Sequence, residues 1–160
     1  MNTNKKLDNK GFSLVELIIV IAIMAILVGV VGTQVIPYIE KSRQSKDLQI
    51  LSGYCTNMTS AVSNCAAVAD STATYTITIA AGGTSIASSP SGASGSTEIL
   101  DNFCELAGST PSNLKWSTIG WESKVAKNAT GQTVTCVYNP SSGVVVTLNG
   151  QTKISSVSTK

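Results

Sequence analysis

The chain has 160 residues, 42% hydrophobic and only 12% charged, with 11 basic side chains against 9 acidic ones, a balance that gives no support for nucleic-acid binding. It contains no histidine, so the common imidazole-based acid–base and triad arrangements are absent, and no Gly-rich loop precedes a helix to hold phosphate; an enzyme is not expected. The four cysteines show no Cys-x-x-Cys spacing, so neither a metal nor a cofactor is expected.

Residues 1–11 are rich in Asn and Lys and carry no apolar core of their own. Lys5, Lys6 and Lys10 against Asp8 give this segment a net +2, equal to that of the whole chain, so the remainder from Phe12 onward is formally neutral. An apolar run follows, Leu17 to Val31, with no polar side chain until Thr33. As a helix, residues 12–36 would extend roughly 37 Å, enough to cross a hydrocarbon core of about 30 Å. Glu16 is the one ionisable group in that span. A carboxylate costs about 2.5–3.5 kcal/mol at mid-bilayer and less near the interface, so Glu16 either snorkels to water or has a partner.

The six residues Gly11-Phe12-Ser13-Leu14-Val15-Glu16, after a Lys-bearing leader and before an Ile/Leu/Val/Ala run, resemble the processing site of type IV prepilins and of the related pseudopilins of secretion and DNA-uptake machines. The resemblance covers about residues 5–40. It implies cleavage between Gly11 and Phe12 by a membrane-embedded prepilin peptidase, N-methylation of Phe12, and assembly in which Glu16 pairs with the Phe12 amine of a neighbouring subunit. Two charges that are each costly in lipid would then neutralise one another only in the correct register. The implied partners are further copies of the chain, the peptidase, an assembly platform and, before assembly, the lipid bilayer. The implied location is a single-pass membrane precursor that becomes an extracellular filament for adhesion, motility or aggregation. The alternatives are a pseudopilin or a membrane-tethered binding ectodomain that never polymerises.

Gly29, Gly32 and Pro37 close the apolar run. Gly is a poor helix former and Pro removes a hydrogen bond, so a modest kink is expected there; in a filament the family resemblance suggests local unwinding. Residues 37–70 then read as an amphipathic helix. Leu48, Leu51, Cys55, Met58, Val62, Cys65 and Ala69 recur at three- and four-residue spacing, and Asp70-Ser71-Thr72 is the expected stop. A single helix from Phe12 to Ala69 would be about 87 Å long, more than a domain of this size can bury. Lipid or other subunits must therefore cover its first half.

Residues 71–160 read as a small head, making the fold α+β: a long helix, half membrane-spanning and half amphipathic, packed on an antiparallel sheet. Thr74 to Ala80 alternates as a strand, Gly82-Gly83 turns it, and Thr84 to Ala87 can return. Ser88 to Thr97 is a surface loop, and Ser96 or Thr97 caps a short helix to Ala107 with Gly108 as stop. Leu100, Phe103, Cys104 and Ala107 would form its apolar face. Glu98, Asp101 and Glu105 form an acidic one, either solvated or meeting Lys41, Arg43 or Lys46 of an adjacent subunit. Lys115 to Trp121 is expected as an edge segment with Trp116 and Trp121 packed inward. Strands are expected over Thr133–Tyr138, Val144–Leu148 and Gln151–Val157, the last two joined by a tight Asn149-Gly150 turn.

Cys55 and Cys65 lie about 15 Å apart along a continuous helix, too far to bond each other. Two disulfides would therefore run from the helix to Cys104 and Cys136, with both connectivities open; the alternative is four thiols buried as small hydrophobes.

Overall fold

The structure is a computed structural model that describes residues 11–128, 131–149 and 156–159. Its first element, α1 (Leu14–Asn64), is one unbroken helix that passes through both compact units of the chain, Met1–Ile39 and Glu40–Lys160.

In the first unit every side chain from Gly11 to Ile39 is exposed. The run is long and apolar enough to cross a membrane by length and composition, and it has no protein core of its own. The helix continues through Gly29, Gly32 and Pro37. Pro37 has no N–H to offer the Thr33 carbonyl one turn earlier. The Thr33 hydroxyl is kept satisfied by donating to the carbonyls of Val30 at 3.1 Å and Gly29 at 3.4 Å.

The second unit is built on a five-stranded antiparallel sheet in the order β2-β1-β3-β4-β5. The strands are β1 (Thr74–Ala80), β2 (Gly83–Ser89), β3 (Val134–Asn139), β4 (Gly143–Leu148) and β5 (Ser156–Thr159). Strict alternation buries Tyr75, Ile77 and Ile79 of β1, with Cys136 paired to Ile77 on one side and to Val146 on the other. The α1 stripe Leu51, Cys55, Met58, Val62 and Cys65 closes this core together with Ile99, Phe103 and Cys104 of α2 (Ser96–Leu106). The expected α+β architecture is therefore present.

Several boundaries differ from expectation, each for a local reason. Helix α1 ends at Asn64, not Ala69, because the backbone tightens into three-residue turns, with Ala66 N–H bonded to Ser63 and Val68 N–H to Cys65. Leu48 stays 38% exposed and is not part of the core stripe. The residue capping α2 is Gly95, in a left-handed conformation (φ 78°), while the Ser96 hydroxyl instead donates backward to the Ala93 carbonyl at 2.7 Å. Gly is required there twice over, since a Cβ on residue 95 would also sit 2.7 Å from the Ala69 Cα. On α2 it is Ile99, not Leu100, that is fully buried beside Phe103 and Cys104. Gly108 does stop the helix, with φ 71° and its N–H on the Glu105 carbonyl.

Lys115–Trp121 is not a strand. The Thr118 hydroxyl accepts from Lys115 N–H at 2.9 Å and donates to the Lys115 carbonyl at 2.8 Å, closing a 3₁₀ turn over Trp116–Thr118. Both tryptophans are nonetheless buried as expected, with ring centroids 4.9 Å apart. The sheet's last strand also shifts. Thr147 lies opposite Ser156, whereas a two-residue Asn149-Gly150 turn would set Thr147 opposite Thr152; Gly150 and residues 151–155 lie outside the described residues.

A contact that the sequence did not signal fixes the segment between these parts. Asp47 of α1 is completely buried, and its carboxylate accepts from the Glu122 N–H at 2.8 Å, the Ser123 N–H at 3.1 Å and the Ser123 hydroxyl. Ser123 in turn caps the short helix α3 (Lys124–Lys127), accepting from Ala126 N–H at 3.1 Å. One helical stretch earlier, Glu40 accepts from Lys124 N–H at 2.7 Å. Two carboxylates of α1 thus hold three successive backbone amides, charge-assisted bonds that offset the cost of burying Asp47.

Asp47→Ala strands those buried donors and should lower the unfolding free energy by about 2–4 kcal/mol. Denaturant titration of the full chain in detergent, followed by Trp116/Trp121 fluorescence, measures it. Gly95→Ala should cost about 1–3 kcal/mol in the same assay, through both φ strain and the approach to Ala69.

Candidate functional site

The residues singled out by sequence gather at the start of α1. Gly11, Phe12 and Ser13 precede the helix in non-helical conformation, and Phe12 is 88% exposed. Nothing stands within 4 Å of where a Cβ on Gly11 would be. The Gly11–Phe12 peptide bond is therefore open on all described sides and lies outside the helix.

Glu16 has a local role that the sequence reading missed. Its Oε2 accepts from the Ser13 N–H at 2.8 Å, and the Ser13 carbonyl accepts from Leu17 N–H at 3.2 Å. Ser13 is thus the N-cap and Glu16 the third helical residue reaching back, one half of a capping box. The Ser-x-x-Glu spacing was present in Ser13-Leu14-Val15-Glu16 and could have been read for this. The carboxylate also sits in the first turn, where the helix macrodipole favours negative charge. Oε1 accepts no hydrogen bond among the described residues, and a carboxylate has capacity for several donors.

The four cysteine candidates lie elsewhere, in the core of the second unit. All are buried, and the structure records each as a thiol. The Cys55 Sγ lies 3.7 Å from the Val144 carbonyl oxygen, a weak donor contact between α1 and β4. Burial pushes the Cys104 thiol up to about 11, with Asp101 adding to it, and raises Cys136 through burial and then Cys55. Cys65 is raised by burial and by Glu98, and the Tyr54 hydroxyl beside them is raised to about 12, again chiefly by burial. These are unreactive thiols packed as small apolar groups. No group of three or more His, Cys, Asp or Glu able to hold a metal occurs among the described residues.

The comparisons with known proteins bear on the first cluster. The prokaryotic N-terminal methylation motif matches residues 6–32, a span that contains Gly11, Phe12, Glu16, Gly29 and Gly32. No curated protein and no solved structure matches the chain. The chain thus carries a methylation motif of the type IV prepilin-like kind at the start of a long apolar helix, and that helix runs into an antiparallel α+β unit.

The state of the cysteines can be read directly. As four thiols, they should take up four alkyl groups per chain when the protein is denatured without reductant, and react slowly when native at pH 8; a head closed by two disulfides would take up none. The sign of the pH effect follows from the upward shifts. Their contribution to stability is complete below the ordinary thiol pKa of about 8.5 and is lost as the pH rises towards the folded values. Thermal unfolding scans of the reduced protein between pH 8 and 11 should show a falling midpoint.

Proposed function

We propose that the chain is the precursor of a type IV pilus subunit. It is processed between Gly11 and Phe12 by a prepilin peptidase, methylated at Phe12, held by α1 in the bilayer, and then polymerised through α1 into an extracellular filament by a membrane assembly platform. Adhesion, motility or aggregation would be properties of the displayed heads. The observation that carries this reading is the methylation motif sitting on an apolar helix with no buried side chain before Glu40. Such a surface needs lipid or other copies of itself to cover it. A structural, non-catalytic role follows from the same reading.

Glu16 is the residue on which assembly turns. Its Oε2 serves the helix cap of its own chain, while Oε1 remains able to accept the Phe12 amine of a neighbour. An ammonium and a carboxylate that both leave water are compensated when they meet and left costly when they do not, so mis-registered copies are disfavoured. A pseudopilin shares every one of these features. The head with its Ser/Gly-rich surface segment around residues 90–95 favours the displayed filament.

Mass spectrometry of the N-terminal peptide tests the reading. Material sheared from the cell surface should yield a peptide starting at N-methylated Phe12. The same peptide confined to the membrane fraction would instead mark a pseudopilin, and an intact leader in both fractions would leave only a tethered ectodomain. Glu16→Gln retains an acceptor for the Ser13 cap but not the charge. It should reach the membrane at normal levels and lower sheared filament yield at least about tenfold; wild-type yield would end the register role.

A further inference from the structure

The head unit separates its charges. On α1, Lys41, Arg43 and Lys46 occupy the turns around Asp47, and the two carboxylate anchors bring a second basic segment beside them, since Lys124 is bonded through its own N–H to Glu40. Lys46, Lys124 and Lys127 are exposed. Of the acids of this region, Asp47 is buried and Glu40 holds the Lys124 amide and lies 3.9 Å from Arg43, which leaves the exposed Glu122 as a single carboxylate set against the exposed Lys46, Lys124 and Lys127. This end of the head is therefore a basic surface.

The opposite sign lies on α2. Glu98, Asp101 and Glu105 are all exposed at helical spacing, no Lys or Arg occurs in Ser96–Leu106, and none of the three acids forms an ion pair among the described residues. Helix α2 is placed further along α1 than the basic turns. Phe103 packs on Tyr54 at a centroid distance of 5.9 Å, the Asn64 and Asn102 side chains bond at 3.0 Å, and Gly95 abuts Ala69. Between the level of Arg43 and that of α2 the offset along the helix axis is on the order of 20 Å.

We propose that the acidic face of α2 docks on the basic surface formed by Lys46, Lys124 and Lys127, with Arg43 beside them, of a second copy of this chain displaced along the helix axis. Complementary patches of one chain at different heights make a heterologous contact. Repeated without closure, it builds a filament rather than a closed ring. Charges at such a contact fix register and exclude wrong pairings more than they add raw affinity. This inference rests on the filament reading above, but uses residues that the reading does not.

Charge reversal in the full chain tests it. Glu98→Lys, Asp101→Lys and Glu105→Lys together, or Lys46→Glu, Lys124→Glu and Lys127→Glu together, should each lower sheared filament mass about tenfold at an unchanged level in the membrane fraction. The two sets combined in one chain should restore it to within about twofold. A basic-set loss that the combination does not rescue assigns that surface to another partner, such as anionic lipid headgroups, and overturns the proposal. Reversals without effect, in a chain whose Phe12 peptide is still recovered from sheared filaments, overturn this interface and leave the filament reading standing. A second measurement needs no variant: filaments of the unmodified chain should shorten under a fixed shear between about 0.01 M and 1 M salt, where the screening length falls from about 30 Å to 3 Å. A length indifferent to salt also counts against the contact.

Discussion

The constraint on which the rest depends is solvent. From Gly11 to Ile39 no side chain is buried, although Leu14 to Val31 is almost wholly Ile, Val, Leu, Ala and Met. Apolar surface on this scale is unstable in water, at about 25 cal/mol per Å², and must be removed by lipid or by copies of the same helix. What the head can contribute is limited to the part of α1 that it covers, and this is where the pattern of α1 changes from uniformly apolar to striped. The two units therefore answer to two solvents, and one continuous helix belongs to both.

The head is organised by α1 as well, but through polar contacts as much as through packing. Leu51, Cys55, Met58 and Val62 supply the hydrophobic seam. Asp47 and Glu40 add something that the seam cannot, a fixed direction for the segment leading into α3, because backbone amides impose distance and angle where apolar contact does not. The buried tryptophan pair lies in that segment and is positioned by it.

Much of this was legible in the sequence. The alternation of Thr74–Ala80, the stripe from Leu51 to Cys65, the stop at Gly108 and the motif at Gly11–Glu16 are periodic or positional signals, and each has its counterpart in the structure or in the matched motif. The misreadings trace to contacts that composition does not reveal, one local and the others tertiary. Lys115–Trp121 has the β-branched and aromatic content of a strand, yet the Thr118 hydroxyl turns it into a 3₁₀ bend. Ser96 is a good cap by type, yet the approach of Ala69 reserves the capping position for Gly95. Asp47 sits in a polar stretch with Lys46 before it, and only the tertiary fold shows that it points inward. Glu16 is the reverse case, where the local Ser-x-x-Glu signal was present and was overshadowed by the larger question of a charge in a membrane helix.

That local signal changes how maturation can be understood. The bonds that begin α1, from Ser13 to Glu16 and from Leu17 to Ser13, both lie on the C-terminal side of the Gly11–Phe12 peptide. Cutting that peptide would leave them intact on one fragment, so the helix needs no refolding step to mature. What hydrolysis would create is a new amine at Phe12, one residue before the cap and next to a carboxylate with an oxygen in reserve. On the proposed processing, maturation would be an electrical event: a neutral amide would become an ammonium on a scaffold whose shape was already set.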